Sequence, residues 1–175
     1  MALTASKVRV GVTGAVYYGE TSATAPTASD STLTGFTEVG YLNSDGLEFT
    51  PERSTTAINA WQNSDLVRTV ITDSSLTYKL TLIETSLDSL ELYFGVTITG
   101  GKVEVNPAAT GGRRSFVFDV VDDDKVIRHY VPSGEVISVD AQNYTNGEAI
   151  GYGITITAYA VDGRSADVFY SEFEA

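Results

Sequence analysis

The chain has 175 residues, enough for one domain that buries about 70% of its unfolded surface without staples. It carries no cysteine and one histidine, His129, which excludes disulfide frameworks, cysteine nucleophiles and histidine-rich metal sites. Apolar residues make up 42%, a globular share, and 11 basic against 23 acidic side chains leave a net charge of −12, so the basic footprint of tight nucleic-acid binding is missing.

The opening residues 1–7 lack the charged start and apolar stretch of a signal peptide, and the apolar runs fall short of the ~20 residues that span a bilayer. A protein made and used in soluble form, with no membrane partner, is the expectation. The Asn143 sequon then has no secretory route to serve.

Residues 8–12 and 15–18 read as short strands. Residues 19–35 follow almost without bulky apolar groups, and such a stretch cannot bury enough surface to order itself. Loops this long are uncommon in compact domains, so this one is expected to order only against something else, with Pro26 a candidate contact between subunits. Residues 36–42 form the next predicted strand, closed by an Asp45-Gly46 turn signal. An extended arm is expected over 45–63, interrupted by Pro51 and by the run from Ser54 to Thr56.

Residues 65–72 and 75–84 are the clearest strand pair, joined by Asp73-Ser74. In the second strand Leu76, Tyr78, Leu80 and Leu82 share one face and Thr77, Lys79, Thr81 and Ile83 the other, a period of two with one dry and one wet side. A helix is expected at about 85–95. Thr85 and Asp88 fit a capping box, Leu87, Leu90 and Phe94 recur at helical spacing, and Gly95 stands at the C-cap. Segments 102–105, 114–121, 125–131, 135–140, 152–161 and 167–173 complete a strand list punctuated by Gly and Asn-Gly or Asp-Gly turns. A β-sandwich or barrel in one domain, with one flanking helix, follows.

Chemistry finds little to use. The run from Gly95 to Lys102 has phosphate-loop glycines, but Gly101 intervenes before the lysine, Val103 replaces the hydroxyl and a strand follows; it reads as a β-turn. The acids Asp119, Asp122, Asp123 and Asp124 lack the central glycine and closing glutamate of a calcium loop and read as a hairpin turn. His129 lies in a strand with no nucleophile elbow elsewhere, so it reads as structural. No catalytic residue, metal site or cofactor is expected. Trp61 is open between core and an interface.

Residues 45–63, 67–73, 80–85 and 90–95, taken in order, resemble the major tail tube proteins of long-tailed, non-contractile bacteriophages. The opening residues 2–17 look similar to that family's start, particularly in phages of actinobacteria. The resemblance is good over roughly 2–100 and rests on strand pattern beyond. It implies a structural virion protein whose hexameric rings stack into a tube, with strands joining into one barrel around a channel that DNA traverses without tight binding. Tape measure, tail terminator and tail tip proteins are the implied partners. If the strands near 47–60, 66–72, 75–84 and 152–161 form that barrel, the lumen-facing candidates are Glu48, Thr50, Glu52, Thr77, Lys79, Thr81, Thr155 and Thr157. A neighbouring acid is then expected to pair with at least one of Lys79 and Arg68, and Trp61 joins Pro26 as a candidate contact. A monomeric β-sandwich module for a carbohydrate or receptor, and another virion protein such as a head decoration protein, are the alternatives the sequence leaves open.

Overall fold

The computed structural model describes residues 4–174. A 3-10 turn at Ala5–Lys7 precedes β1 (Thr13–Gly19), β2 (Phe36–Glu38), β3 (Leu42–Asn59) and β4 (Leu66–Leu82). The helix α1 (Leu87–Phe94) separates these from β5 (Arg114–Asp122), β6 (Lys125–Val139), β7 (Tyr152–Ala158) and β8 (Asp167–Tyr170). All strands join one antiparallel sheet in the order β2-β1-β5-β6-β7-β4-β3, with β8 beside the first half of β6.

That order forces the sheet to curl. β2 and β3 stand at its two ends, yet only Val39, Gly40 and Tyr41 separate them along the chain. Four Cα steps reach at most about 14 Å, whereas seven flat strands would set the two edges about 29 Å apart. Hydrogen bonds mark the seam: Val39 N–H donates to the Val16 carbonyl at 2.9 Å and Ile83 N–H to the Tyr41 carbonyl at 3.0 Å. Gly40 sits there at φ 105°, where a Cβ would collide with the Glu84 carboxylate. Only glycine fits.

Inside the curl lies the core. Tyr78 of β4 stacks on Phe118 of β5 with ring centroids 4.5 Å apart, although two strands separate them in the sheet. Leu80, Leu82, Ile154, Ile156, Phe116 and Val131 fill the space around them. The predicted dry face of β4 is therefore correct. Gly134 lets β6 cross this core, because a Cβ there would lie 2.8 Å from the Phe116 ring and 3.0 Å from Ile156.

Several local expectations are corrected. Residues 8–12 form no ladder and β1 starts at Thr13. The predicted 36–42 strand divides at the seam. Asn43 to Gly46 do not turn the chain but bulge out of β3, since Leu42 pairs Leu82 and Leu47 pairs Leu80. Asp73-Ser74 is not a hairpin turn: β4 runs straight through it, and only a bulge at Ser54/Thr55 marks the place. The true turn is at 60–65, where Asn63 and Ser64 take positive φ of 57° and 56°. Residues 102–105 hold only a Thr99–Lys102 bridge, and β7 ends at Ala158. In the helix, Ser86 rather than Thr85 is the N-cap, its Oγ accepting from Ser89 N–H at 3.2 Å, while Thr85 bonds the Tyr152 hydroxyl. The buried helix face carries Ser89 and Leu92, and Leu87 is exposed. Gly95 caps the end at φ 64°, as expected.

His129 is structural and testable. It is buried, shares a 3.2 Å hydrogen bond between Nδ1 and the Tyr78 hydroxyl, and packs edge-on against Phe49. Burial pushes its pKa below the ordinary 6.5, with Asp119 offsetting part of the effect. The unfolded chain then binds this proton first, so the stabilisation is complete above about pH 6.5 and is lost as pH falls towards the folded pKa. Unfolding free energies of wild type and His129→Leu, measured between about pH 7.5 and 5.5, are expected to converge as pH falls. A difference that stays constant with pH would contradict this.

Candidate functional site

The side of the sheet opposite the core carries a polar surface built by register. Cross-strand partners share a face, so two rows can be read directly. One runs Glu48, Lys79, Thr155, Ser138 across β3, β4, β7 and β6; the next runs Thr50, Thr77, Thr157, Glu135. Glu52 opposite Ser75 and Thr81 opposite Gly153 extend it at either end. The eight sequence candidates thus come together on one face. Glu135, Ser138 and Asp140 belong to it as well and were missed, although the alternation around buried Val136 already marked Glu135 as outward.

Lys79 is paired. Its Nζ lies 3.1 Å from Asp140 Oδ2, and the Asp140 side chain occupies the space over Gly153, where a Cβ would sit 2.7 Å from Oδ2. Glu135 accepts from Thr110 Oγ1 at 2.5 Å and from the Tyr159 hydroxyl at 3.2 Å. The face therefore presents Glu48, Glu52, Glu135 and Asp140 against the Lys79 ammonium and, at the Glu135 end, the Arg113 guanidinium stacked 4.1 Å over the Tyr159 ring. Both members of the ion pair are about half exposed, so it adds little stability and acts chiefly on local charge.

Beyond Pro51 and Leu76 the β3–β4 hairpin leaves the body. Every residue from Pro51 to Asn59 is exposed, as are those from Leu66 to Ser75 except half-buried Val70. Trp61 at the tip is 97% exposed, which settles that it is not core. A two-stranded ribbon alone is marginal in water, and this one shows Ile58, Leu66, Val67 and Ile71 to solvent. Arg68 lies opposite Ile58 on this arm and makes no ion pair among the described residues.

The 19–35 excursion finds partners in its own chain. Ser29 is buried, its N–H and Oγ both donating to the Glu174 carboxylate, and Ser115 Oγ donates to the Glu20 carbonyl. Arg128 donates from Nη1 to the Ser31 carbonyl at 2.6 Å while gripping Asp119 through two 2.7 Å bonds. Pro26 is buried within the subunit. Polar anchoring did what apolar burial could not.

Three acids in and beside the acidic turn make protein contacts. Asp119 holds Arg128, Asp122 accepts from Val10 N–H, and Asp124 pairs with Lys125 at 2.9 Å. No group of three or more His, Asp or Glu is placed to hold a metal among the described residues, and none of their helices is long and apolar enough to cross a membrane.

A family profile described as "Phage tail tube protein" matches residues 1–172. The chain belongs to the phage tail tube protein family. It is a structural protein of the phage tail, which sets aside the monomeric binding module and the head decoration protein. Comparison with curated proteins finds no match. Among solved structures, the tail tube chain is similar to a chain from the tail of an empty gene transfer agent particle, refined helically with C6 symmetry. Identity there is 10%, coverage 91% of this chain and 96% of that one, and the TM-score 0.41. A chain from the virion of a native gene transfer agent particle is similar at 10% identity, covering 78% of this chain and 88% of that one, with a TM-score of 0.40.

Proposed function

We propose that this tail tube protein assembles as hexameric rings stacked into a tube, with the polar face of β3, β4, β7 and β6 turned to the channel. The observation that carries this is the pair of unused sheet edges. β3 ends the sheet along its whole length, and the second half of β6 is paired by β7 on one side only, beyond the Arg114–Gly134 contact. Exposed edges of this kind invite edge-to-edge pairing, and a closed barrel removes them. Four alternating strands bring β3 of one copy antiparallel to β6 of the next. Six copies make about 24 strands, beyond the 16–18 that already leave an aqueous channel.

Charge fits a conduit. Every Lys or Arg that neutralises a phosphate adds salt-dependent affinity for DNA, which would hold the cargo. Glu48, Glu52, Thr50, Thr77, Thr81, Thr155 and Thr157 offer acids and hydroxyls instead, and Lys79 is masked by Asp140. The tube passes DNA at infection without tight binding, with a tape measure protein inside during assembly and terminator and tip proteins at its ends. It carries out no catalysis and takes no cofactor.

Sedimentation velocity across a concentration series tests the assembly. Dilute protein is expected to run as a monomer or weak oligomer, and concentrated or seeded protein as rings and tubes. A chain that stays monomeric at high concentration and on every seed overturns the proposal.

A further inference from the structure

Three Asp-Gly or Asn-Gly pairs occur in the chain: Asp45-Gly46, Asn146-Gly147 and Asp162-Gly163. In each the glycine takes a positive φ, 68°, 89° and 82° respectively. Such a glycine does more than turn the chain. With no Cβ in the way, its amide nitrogen can reach the side-chain carbonyl carbon of the residue before it and close a five-membered ring. The fold decides which of the three pairs is able to do so.

Two are held. Asp45 lies in β3 and accepts from Asn43 Nδ2 at 2.7 Å, inside a bulge whose two ends pair with β4. Asp162-Gly163 is clamped between Val161 and Arg164, which exchange two backbone hydrogen bonds of 2.8 and 3.1 Å.

Asn146-Gly147 has no such restraint. It lies in the 140–151 connection between β6 and β7, which is fastened at its base. There Asp140 N–H donates to the Gly153 carbonyl at 2.8 Å, and the Asp140 carbonyl accepts from the Tyr93 hydroxyl. From Ala141 to Ala149 the hydrogen bonds among the described residues stay within the loop, from the Tyr144 hydroxyl to Gln142 and from Thr145 Oγ1 to Glu148. Neither the Gly147 N–H nor the Asn146 amide has a partner among the described residues. Residues 143–149 are all exposed, and a Cβ built on Gly147 would meet nothing within 4 Å. The other five asparagines lack a following glycine, and Asn106 precedes a proline, which has no N–H to offer.

We propose that Asn146-Gly147 is a site of spontaneous deamidation. The Gly147 backbone nitrogen, its proton lost to solvent hydroxide, attacks Asn146 Cγ. The new N–Cγ bond forms as the Cγ–Nδ2 bond breaks, and Nδ2 leaves as ammonia. Water then opens the succinimide at either carbonyl: attack at Cγ gives aspartate, and attack at the main-chain carbonyl gives isoaspartate. Either product turns a neutral amide into a carboxylate, so a chain of net charge −12 becomes one charge more negative. The new acid stands on the loop that begins with Asp140, the partner of Lys79. The chemistry belongs to the single subunit and does not depend on assembly into a tube.

Dilute folded protein incubated at about pH 8, beside the same chain unfolded in urea, provides the test, with peptide mapping by mass spectrometry. The peptide that holds Asn146 is expected to show the amide-to-acid mass gain, as isoaspartate and aspartate. Its rate in the folded chain is expected within about tenfold of the unfolded rate, as for a loop that opens at almost no cost. Gly147→Ala is expected to slow conversion about tenfold or more, by setting a methyl group beside the attacking nitrogen. Asn146→Gln leaves the turn glycine in place and is expected to abolish it, which separates the chemistry from any loss of fold. A folded chain that stays unchanged or lags by more than that margin, or equal conversion at Asn63 or Asn143, would overturn the proposal.

Discussion

Asp119→Ala is expected to cost this protein about 3–5 kcal/mol of folding stability, the usual result of removing one partner from a buried ion pair. Asp119 and Arg128 are only 11% and 9% exposed and meet through two 2.7 Å bonds. Without the carboxylate, Arg128 is left charged and buried with a single carbonyl acceptor, Ser31 O. That same contact ties the 19–35 excursion to β6, so the loop loosens along with the strand. Replacing both residues with apolar ones, Asp119→Leu with Arg128→Met, is expected to recover most of the loss, because no uncompensated charge remains. Urea unfolding of the three proteins measures this. A loss under about 1 kcal/mol for Asp119→Ala would mean that the pair is hydrated in solution.

A second large effect is expected at Tyr78. Its ring is fully buried, stacks on Phe118 across the interior and is flanked by Phe49 and His129. Tyr78→Ala removes that ring from the point where the two sides of the curled sheet meet, and is expected to cost about 3–5 kcal/mol through lost transfer energy plus a cavity. Tyr78→Phe keeps the ring and loses only the hydroxyl bond to His129, an expected cost of about 1 kcal/mol. Equal losses for the two variants would place the energy in the hydrogen bond rather than in packing. Thermal unfolding separates the cases, since 1 kcal/mol moves the midpoint of a domain this size by about 2–4 °C.

The alternation from Leu76 to Leu82 was legible because a strand with one dry face repeats every two residues, and the structure buries Tyr78, Leu80 and Leu82 as that pattern requires. The wet face followed for the same reason, down to Thr155 and Thr157 on the neighbouring strand. Pairing was less legible. Asp73-Ser74 has turn chemistry, and Ser74 N–H does bond the Asp73 side chain, but the long ladder to β3 overrides it. Asn43 to Gly46 carries equally good turn chemistry that is spent on a bulge. Asp140 over Gly153 was out of reach, since that contact depends on how the chain leaves β6 rather than on any local pattern. The Asp119–Arg128 pair was within reach: once the turn at Asp123-Asp124 is placed, Asp122 faces Lys125 and Asp119 faces Arg128. The polar anchors of residues 19–35 come from positions about 100 or more residues away, and composition alone says nothing of them.

A reconstruction of tubes grown from the purified protein tests the central claim most directly. The account predicts rings whose inner wall is formed by β6, β7, β4 and β3, with β3 of one subunit hydrogen-bonded to β6 of the next. Glu48, Thr50, Thr77 and Thr157 should face the channel, and Lys79 should stay paired to Asp140. A lumen lined by the opposite face, or by more Lys and Arg than Asp and Glu, would contradict it.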